Sequence, residues 1–129
     1  GSITSVIELA EGVPADALDG IEDFSHLEII FYFDKADKSM AVYKYHPRGN
    51  KNWPEVGIFA QRKKDRPNSI GLTIAELVKR EGNKIWVKNL DAIDGTPILD
   101  IKPVLKEFLP RGEIRQPKWS SELMKDYWA

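Results

Sequence analysis

Residues 26–33, which read HLEIIFYF, constrain the fold more than any other part of this sequence. The run is almost continuously apolar and is rich in aromatic and branched side chains, which favour strands. A strand with so few polar positions is typical of one that is covered on both faces. The run therefore predicts a buried strand, around which the rest of the fold has to be built.

Other strand-like runs follow this one at short intervals, with turn residues between them. Alternating or branched apolar residues predict strands over residues 3–9, 40–45, 56–60, 85–87 and 98–101. Residues 15–20 follow a glycine and a proline and predict a short helical turn. The segment 46–54 holds two prolines and a glycine, which exclude a helix there.

The segment 70–80 is ambiguous, because its apolar residues also fit one face of a helix. Residues 81–84, EGNK, are typical of a hairpin turn, and the branched and aromatic run 85–87 follows directly. A hairpin requires a strand on both sides of the turn. We therefore favour a strand over 70–80.

The overall pattern predicts a mainly β fold with one domain over residues 1–129. Six or seven short antiparallel strands at this spacing indicate an antiparallel β-barrel or a strongly coiled sheet. Residues 104–129 form a C-terminal extension. Within it we predict a helix over 119–128, because Trp119, Leu123 and Tyr127 fall on one helical face.

The composition excludes several classes of site. The chain has 129 residues and no cysteine, so disulfides, thiolate metal sites and cysteine nucleophiles are ruled out. Two histidines without a zinc-binding spacing predict no metal site, and the P-loop and Rossmann motifs are absent. No apolar run reaches the roughly twenty residues of a membrane span. We expect a cytoplasmic protein that does not act at a membrane.

Charge is distributed unevenly, although the net charge is only -1. Residues 1–37 contain nine carboxylates and one lysine, whereas residues 44–66 contain seven basic residues and two acids. A basic segment of this size can bind phosphates. A solvated surface that balances an acidic one explains the same pattern equally well.

Three longer motifs resemble one known family. They are FSHLEIIFYF from Phe24, VGIFAQRKKDRPNSIGLT from Val56 and LDAIDGTPILDIKP from Leu90. Together they are similar to the TrmO family, also known by its TsaA-like domain, over about residues 3–103. The resemblance implies a β-barrel methyltransferase that uses S-adenosylmethionine. Its implied substrate is the exocyclic nitrogen of threonylcarbamoyl-adenosine, beside the anticodon of tRNA.

The resemblance also implies which residues contact the cofactor. Carried over by position, these contacts are Asp34, Lys35, Arg62, Leu72, Ala92, Ile93, Asp94 and Gly95. An arginine fork suits the methionine carboxylate, an apolar side chain suits the adenine, and backbone near a glycine can approach a ligand closely.

Other residues are assigned to the reaction and to RNA. We expect Arg66, Asn68 and Asp94 close to the reacting atoms, and we name no general base. Arg48, Lys51, Lys63 and Lys64 are candidates for phosphate contacts that position a tRNA stem-loop. Each assignment has a plainer alternative: Asp94 before a glycine is common in turns, and Lys63 with Lys64 can simply protect a hairpin end. Trp119 and Trp128 are better explained as anchors of the final helix in the core.

The chain departs from the family pattern in two places. Family members usually carry a loop close to ATRSPxRPNPIGLS, whereas Gln61, Lys63, Lys64 and Ser69 stand here in place of Thr, Ser, Pro and Pro. The sequence also begins after the family's usual first strand, and residues 1–2 resemble the remnant of an expression tag. A barrel one strand short would have weaker cofactor binding, and its exposed edge would favour a homodimer.

Two other functions therefore remain open. One is a non-catalytic barrel that binds RNA or a nucleotide. The other is a methyltransferase of the same fold with a different substrate.

Overall fold

The computed structural model describes residues 3–36, 43–92 and 94–128. Seven strands lie in this part of the chain, and all of their pairings are antiparallel. They are β1 (Thr4–Glu8), β2 (His26–Tyr32), β3 (Lys44–Tyr45), β4 (Val56–Gly57), β5 (Ile70–Glu81), β6 (Lys84–Lys88) and β7 (Ile98–Pro103). One α-helix, α1, spans Lys118–Met124. The protein is mainly β, as the sequence predicts.

Five of the strands form one sheet in the order β1-β6-β5-β2-β7. The run HLEIIFYF becomes β2 and lies between β5 and β7, so the predicted strand is confirmed, although it is not fully buried on both faces. Its residues Leu27, Ile29 and Phe31 are buried, whereas the intervening residues are half-buried. One face of β2 therefore belongs to the core, and the other is only partly covered.

The core lies on one face of this sheet. Its buried members are Ile7, Leu18, Leu27, Ile29, Phe31, Ala75, Ile85 and Val87. They come from four strands and from the 3-10 turn Ala15–Leu18, which the sequence predicts as a short helical turn. The cluster members run from Ile7 to Val87 in sequence and come into contact in the fold. The cluster therefore holds the sheet as one unit.

Several sequence predictions for individual strands are confirmed. The ambiguous segment is strand β5, and it forms a hairpin with β6. Gly82 in the turn has φ of 61°, a left-handed conformation that glycine adopts at little cost. The predicted strands at residues 3–9 and 98–101 correspond to β1 and β7.

Two strand predictions have to be corrected. The strand predicted over 56–60 ends at Gly57, because Ile58–Ala60 forms a 3-10 turn closed by a hydrogen bond from the Gln61 N–H to the Ile58 carbonyl. Burial of the Ile58 side chain accompanies this turn. The strand predicted over 40–45 lies partly outside the described residues, and only Lys44–Tyr45 is seen as a strand.

The described residues form an open sheet, which corrects the predicted closed barrel. Strands β1 and β7 each pair on one side only and are its edges. The remaining strands, β3 and β4, have two residues each and pair with each other. A ring requires its edge strands to be bridged, and this short ribbon does not bridge them.

The predicted C-terminal helix is shorter than expected. It ends at Met124, because Lys125 has ψ of 128° and Asp126 has φ of 63°, neither of which continues a helix. Trp119 and Trp128 do not belong to the core cluster, so their interpretation as core anchors is wrong. No helix in the described part of the chain is both long enough and apolar enough to cross a membrane.

Gly71 marks a close approach of β5 to β2. A Cβ at this position would lie 2.5 Å from two ring atoms of Phe31 and 3.0 Å from Phe33. We expect Gly71→Ala to lower the free energy of unfolding by about 1–3 kcal/mol, since the rings must move. Chemical denaturation measures this difference.

Gly57→Ala is the matched control for this substitution. A Cβ on Gly57 would meet its nearest atom at 3.8 Å, which is an ordinary contact. Equal stability losses in the two variants would contradict the close approach.

Candidate functional site

The loop between β4 and β5 is held in place by the Arg66 side chain. Its Nη1 donates hydrogen bonds to the carbonyls of Gln61, at 2.8 Å, and Lys63, at 3.0 Å, and its Nη2 donates to the Ile58 carbonyl at 3.3 Å. Charged donors make the stronger kind of hydrogen bond. Arg66 therefore fixes the path of the loop from the inside.

Ser69 ends this loop in a left-handed conformation, with φ of 52°. Its side chain is fully buried, and its carbonyl accepts a hydrogen bond from the Phe33 N–H at 2.8 Å. Left-handed backbone is uncommon for residues other than glycine. The bond to Phe33 joins the end of the loop to the end of β2.

Arg62 and Leu72 lie side by side, although ten residues separate them in sequence. The Arg62 Nη2 donates a hydrogen bond to the Leu72 carbonyl at 2.7 Å. The guanidinium has further N–H groups, and Arg62 and Leu72 both line one cavity. Two of the predicted cofactor residues are therefore neighbours on one wall.

A small cavity of about 330 Å³ lies at the end of β2. Three predicted cofactor residues, Asp34, Lys35 and Ala92, line it together. The rest of its lining comes from Phe33, Ala36, Lys64, Leu90, Asp91 and Thr96. This volume falls within the roughly 300–1,000 Å³ of small-molecule sites.

A larger, open cavity of about 1150 Å³ lies next to the small one. Its lining includes residues predicted to contact the cofactor, the reacting atoms and the RNA. These residues are Arg48, Arg62, Lys63, Arg66 and Leu72. Phe33 and Asp91 line both cavities. The two cavities are therefore adjacent, and we call them the two compartments of one cleft.

Lys63 is held at the edge of the larger cavity by an aromatic ring. Its Nζ lies 3.5 Å from the centroid of the Tyr45 ring, which is a cation–π contact. The contact links the loop to strand β3. Among the described residues, no group of His, Cys, Asp and Glu could hold a metal ion.

Four further candidates, all within the described residues, do not line either cavity. Lys51 and Asn68 are exposed, and Asp94 and Gly95 lie in a turn where Gly95 has φ of 85°. Ile93 lies outside the described residues. The roles assigned to all of the candidate residues stay predictions.

Sequence reasoning missed Asp91 and Tyr127. The Tyr127 hydroxyl donates a hydrogen bond to Asp91 Oδ2, which brings the C-terminal segment to the carboxylate shared by both compartments. A second hydrogen bond holds the same segment. It is donated by Trp53 Nε1 to Glu122 Oε2 at 2.8 Å, and these two residues are 69 positions apart in sequence. The density of aromatic residues near the C-terminus was the signal that could have indicated a docked segment.

The surroundings of Tyr127 suppress its ionisation. Partial burial, the hydrogen bond to Asp91 and the negative charge of Asp91 raise the pKa of Tyr127 from 10.0 to about 12. The positive charges of Arg48 and Arg62 act in the opposite direction. Tyr127 is therefore a hydrogen-bond donor throughout the physiological pH range.

This raised pKa predicts a pH dependence of stability. The contact favours the folded state below pH 10 and is lost as the pH rises from 10 to about 12, because the unfolded state ionises first. The measurement is the tyrosinate absorbance of the wild type minus that of Tyr127→Phe as the pH is raised. This difference is expected to titrate near pH 12. Tyr43→Phe, which changes an exposed tyrosine, is the control. A difference spectrum that titrates near 10 would contradict the contact.

Comparison with known proteins places this chain in a family. Residues 1–108 match the family model described as tRNA-methyltransferase O N-terminal domain. The human tRNA (adenine(37)-N6)-methyltransferase is 40% identical over 104 residues, which are 81% of this chain and 23% of the human protein. A Pyrococcus abyssi protein named "Probable S-adenosyl-L-methionine-binding protein" is 38% identical over 116 residues, 89% of this chain and 58% of that protein.

The fold is also similar to solved structures. The crystal structure of TrmO from Pseudomonas aeruginosa matches with a TM-score of 0.70 and 30% identity, over 90% of this chain and 47% of that one. The chain thus spans between about a quarter and three fifths of these relatives. On the match over residues 1–108, this chain belongs to the family of tRNA-methyltransferase O N-terminal domains, the TrmO family that its loop motifs resemble.

Proposed function

We propose that the protein is an S-adenosylmethionine-dependent tRNA methyltransferase that methylates the exocyclic nitrogen of threonylcarbamoyl-adenosine next to the anticodon. The observation that carries the proposal is the two-compartment cleft, whose compartments share Phe33 and Asp91. Methyl transfer needs a donor and an acceptor held side by side. The names of the human and archaeal relatives support the reaction and the cofactor.

The lining of the small compartment suits S-adenosylmethionine. Phe33 and Leu90 offer apolar surface for an adenine ring, and the carboxylates of Asp34 and Asp91 are acceptors for ribose hydroxyls or an amino group. Arg62, across the junction, has N–H groups for a carboxylate. The cofactor supplies an electrophilic methyl group on a sulfonium.

The larger compartment suits the acceptor. Arg48 and Lys63 line it and carry charge that can pair with phosphates. Because the donor is already activated, the residues of this chain mainly orient the two reactants and exclude water, which in favourable cases contributes several kcal/mol. Arg66 contributes by fixing the loop that carries Arg62 and Lys63.

Two measurements test the proposal. Calorimetry is expected to detect binding of S-adenosylmethionine, and methyl transfer is expected to tRNA that carries the threonylcarbamoyl group but not to tRNA that lacks it. Equal transfer to both tRNAs would support a methyltransferase of the same fold with another substrate. RNA binding without cofactor binding would support the non-catalytic alternative.

We also infer that two copies associate through a sheet edge. Strands β1 and β7 each leave one side of the backbone unpaired within the described sheet, and such edges favour strand addition. Sedimentation equilibrium is expected to give twice the mass of the chain. A monomer at high protein concentration would contradict this inference.

A further inference from the structure

The C-terminal segment 116–128 lies outside the part of the chain that matches the family model, which ends at residue 108. It is nevertheless attached to the cleft at two points. Glu122 accepts a hydrogen bond from Trp53, and Tyr127 donates one to Asp91. Both partners are distant in sequence, so the segment is docked rather than merely adjacent to β7.

The docked segment forms one wall of the larger compartment. Trp119, Met124, Tyr127 and Trp128 line this wall, and Phe59, Ile70 and Leu72 line the same compartment. Several of these side chains are strongly exposed, Phe59 by 83% and Trp128 by 49%. Apolar side chains that line one open cavity, here called the slot, and remain exposed indicate that a ligand binds among them.

The rings of the wall have a defined geometry. The Tyr127 and Trp128 rings are 4.9 Å apart and nearly perpendicular, at 87°. The hydrogen bond to Asp91 fixes the Tyr127 ring, and this ring in turn packs against Trp128. The indole therefore has a preferred orientation in the slot.

Charge indicates what kind of ligand the slot takes. Arg48 and Lys63 line the same compartment, in addition to Arg62. S-adenosylmethionine has one carboxylate and no phosphate, so a single arginine is enough for it. An aromatic surface combined with further cations is typical of sites for single-stranded nucleic acid, where bases stack and phosphates pair with cations.

We propose that segment 116–128 is an aromatic wall on which a base of single-stranded RNA stacks. The stacked base is either the reacting adenine or a base next to it. The proposal rests on the proposed function and adds residues beyond the family domain to the RNA site. Trp128 is the stacking residue. Tyr127 is a positioning residue, which acts through its hydrogen bond to Asp91.

The test measures three affinities in parallel with the chain of residues 1–129. Fluorescence anisotropy gives the affinity for a labelled RNA stem-loop with adenosines in its loop, and for the same stem closed into a blunt duplex. Calorimetry gives the affinity for S-adenosylmethionine, and steady-state methyl transfer gives KM and kcat for the RNA. The variants are Trp128→Ala, Trp128→Phe and Tyr127→Phe, with Phe108→Ala as control, because Phe108 is exposed and lines neither cavity.

Trp128→Ala is expected to weaken stem-loop binding about tenfold or more, since one stacked base is lost. Duplex binding and cofactor affinity are expected to stay unchanged. Trp128→Phe keeps an aromatic ring and should restore most of the loss. Tyr127→Phe is expected to raise the KM for RNA about fivefold with kcat unchanged, because one hydrogen bond that orients the wall is removed.

Four results would overturn the proposal. Unchanged stem-loop affinity of Trp128→Ala excludes stacking, and equal losses for stem-loop and duplex show a purely electrostatic contact. If the affinity for the cofactor falls in parallel, the Trp128 ring contacts the cofactor. If RNA binds more tightly, the segment blocks the cleft. A wild-type protein that binds no S-adenosylmethionine would instead refute the proposed function, whatever the RNA affinities are.

Discussion

Replacing Arg62 by alanine is expected to weaken the binding of S-adenosylmethionine about 10- to 150-fold. The estimate follows from the loss of a charged hydrogen bond, about 1.5–3 kcal/mol, at about 1.4 kcal/mol for each factor of ten. The Arg62 guanidinium already has a fixed orientation, because its Nη2 donates to the Leu72 carbonyl. A preoriented donor loses little entropy when a carboxylate binds. Calorimetry with the purified variant measures the change.

Arg111→Ala is the matched control for this experiment. Arg111 is exposed and lines neither compartment, so its removal changes the net charge by the same amount without touching the cleft. Its cofactor affinity is expected to equal that of the wild type. If Arg62→Ala also binds as tightly as the wild type, the carboxylate of the cofactor does not lie at Arg62.

Replacing Arg66 by alanine is expected to lower both stability and activity. Three backbone carbonyls, those of Ile58, Gln61 and Lys63, lose their charged donor in this variant. We expect a loss of at least about 1.5–3 kcal/mol in the free energy of unfolding. For a chain of this size the melting temperature should fall by roughly 5–10 °C. Methyl transfer should fall as well, because the loop also carries Arg62.

The conservative variant Arg66→Lys separates the two roles that this residue can have. A lysine retains the charge but has no fork that reaches three carbonyls at once. If Arg66 fixes the loop, Arg66→Lys loses thermal stability together with cofactor affinity. If Arg66 acts directly on the reactants, both variants keep the wild-type melting temperature and cofactor affinity and lose only kcat.

The parts of the fold that depend on local pattern could be predicted from the sequence. The apolar run of β2 and the turn between β5 and β6 depend on residues within a few positions of each other. The open edges β1 and β7 could not be predicted, because they depend on which distant strands pair. The end of α1 was missed because Asp126 adopts a left-handed conformation that its residue type does not specify.

The candidate site also has parts that could be predicted from the sequence and parts that could not. The resemblance predicted residues that line one cleft, such as Asp34 and Arg62, because the family motifs lie within the matched domain. It could not predict the bond between Tyr127 and Asp91, which joins a segment outside that domain to the cleft. Only the folded chain brings these two residues together.

The backbone at Ser69 has a consequence for how this loop can change over evolution. Family members usually have proline at this position, and proline requires φ near -65°, whereas Ser69 has φ of 52°. Serine and proline are therefore not interchangeable here while the loop keeps its path. A proline here would also lack the N–H that Ser69 donates to the Arg66 carbonyl at 3.2 Å, so chains with proline at this position are expected to close the loop differently.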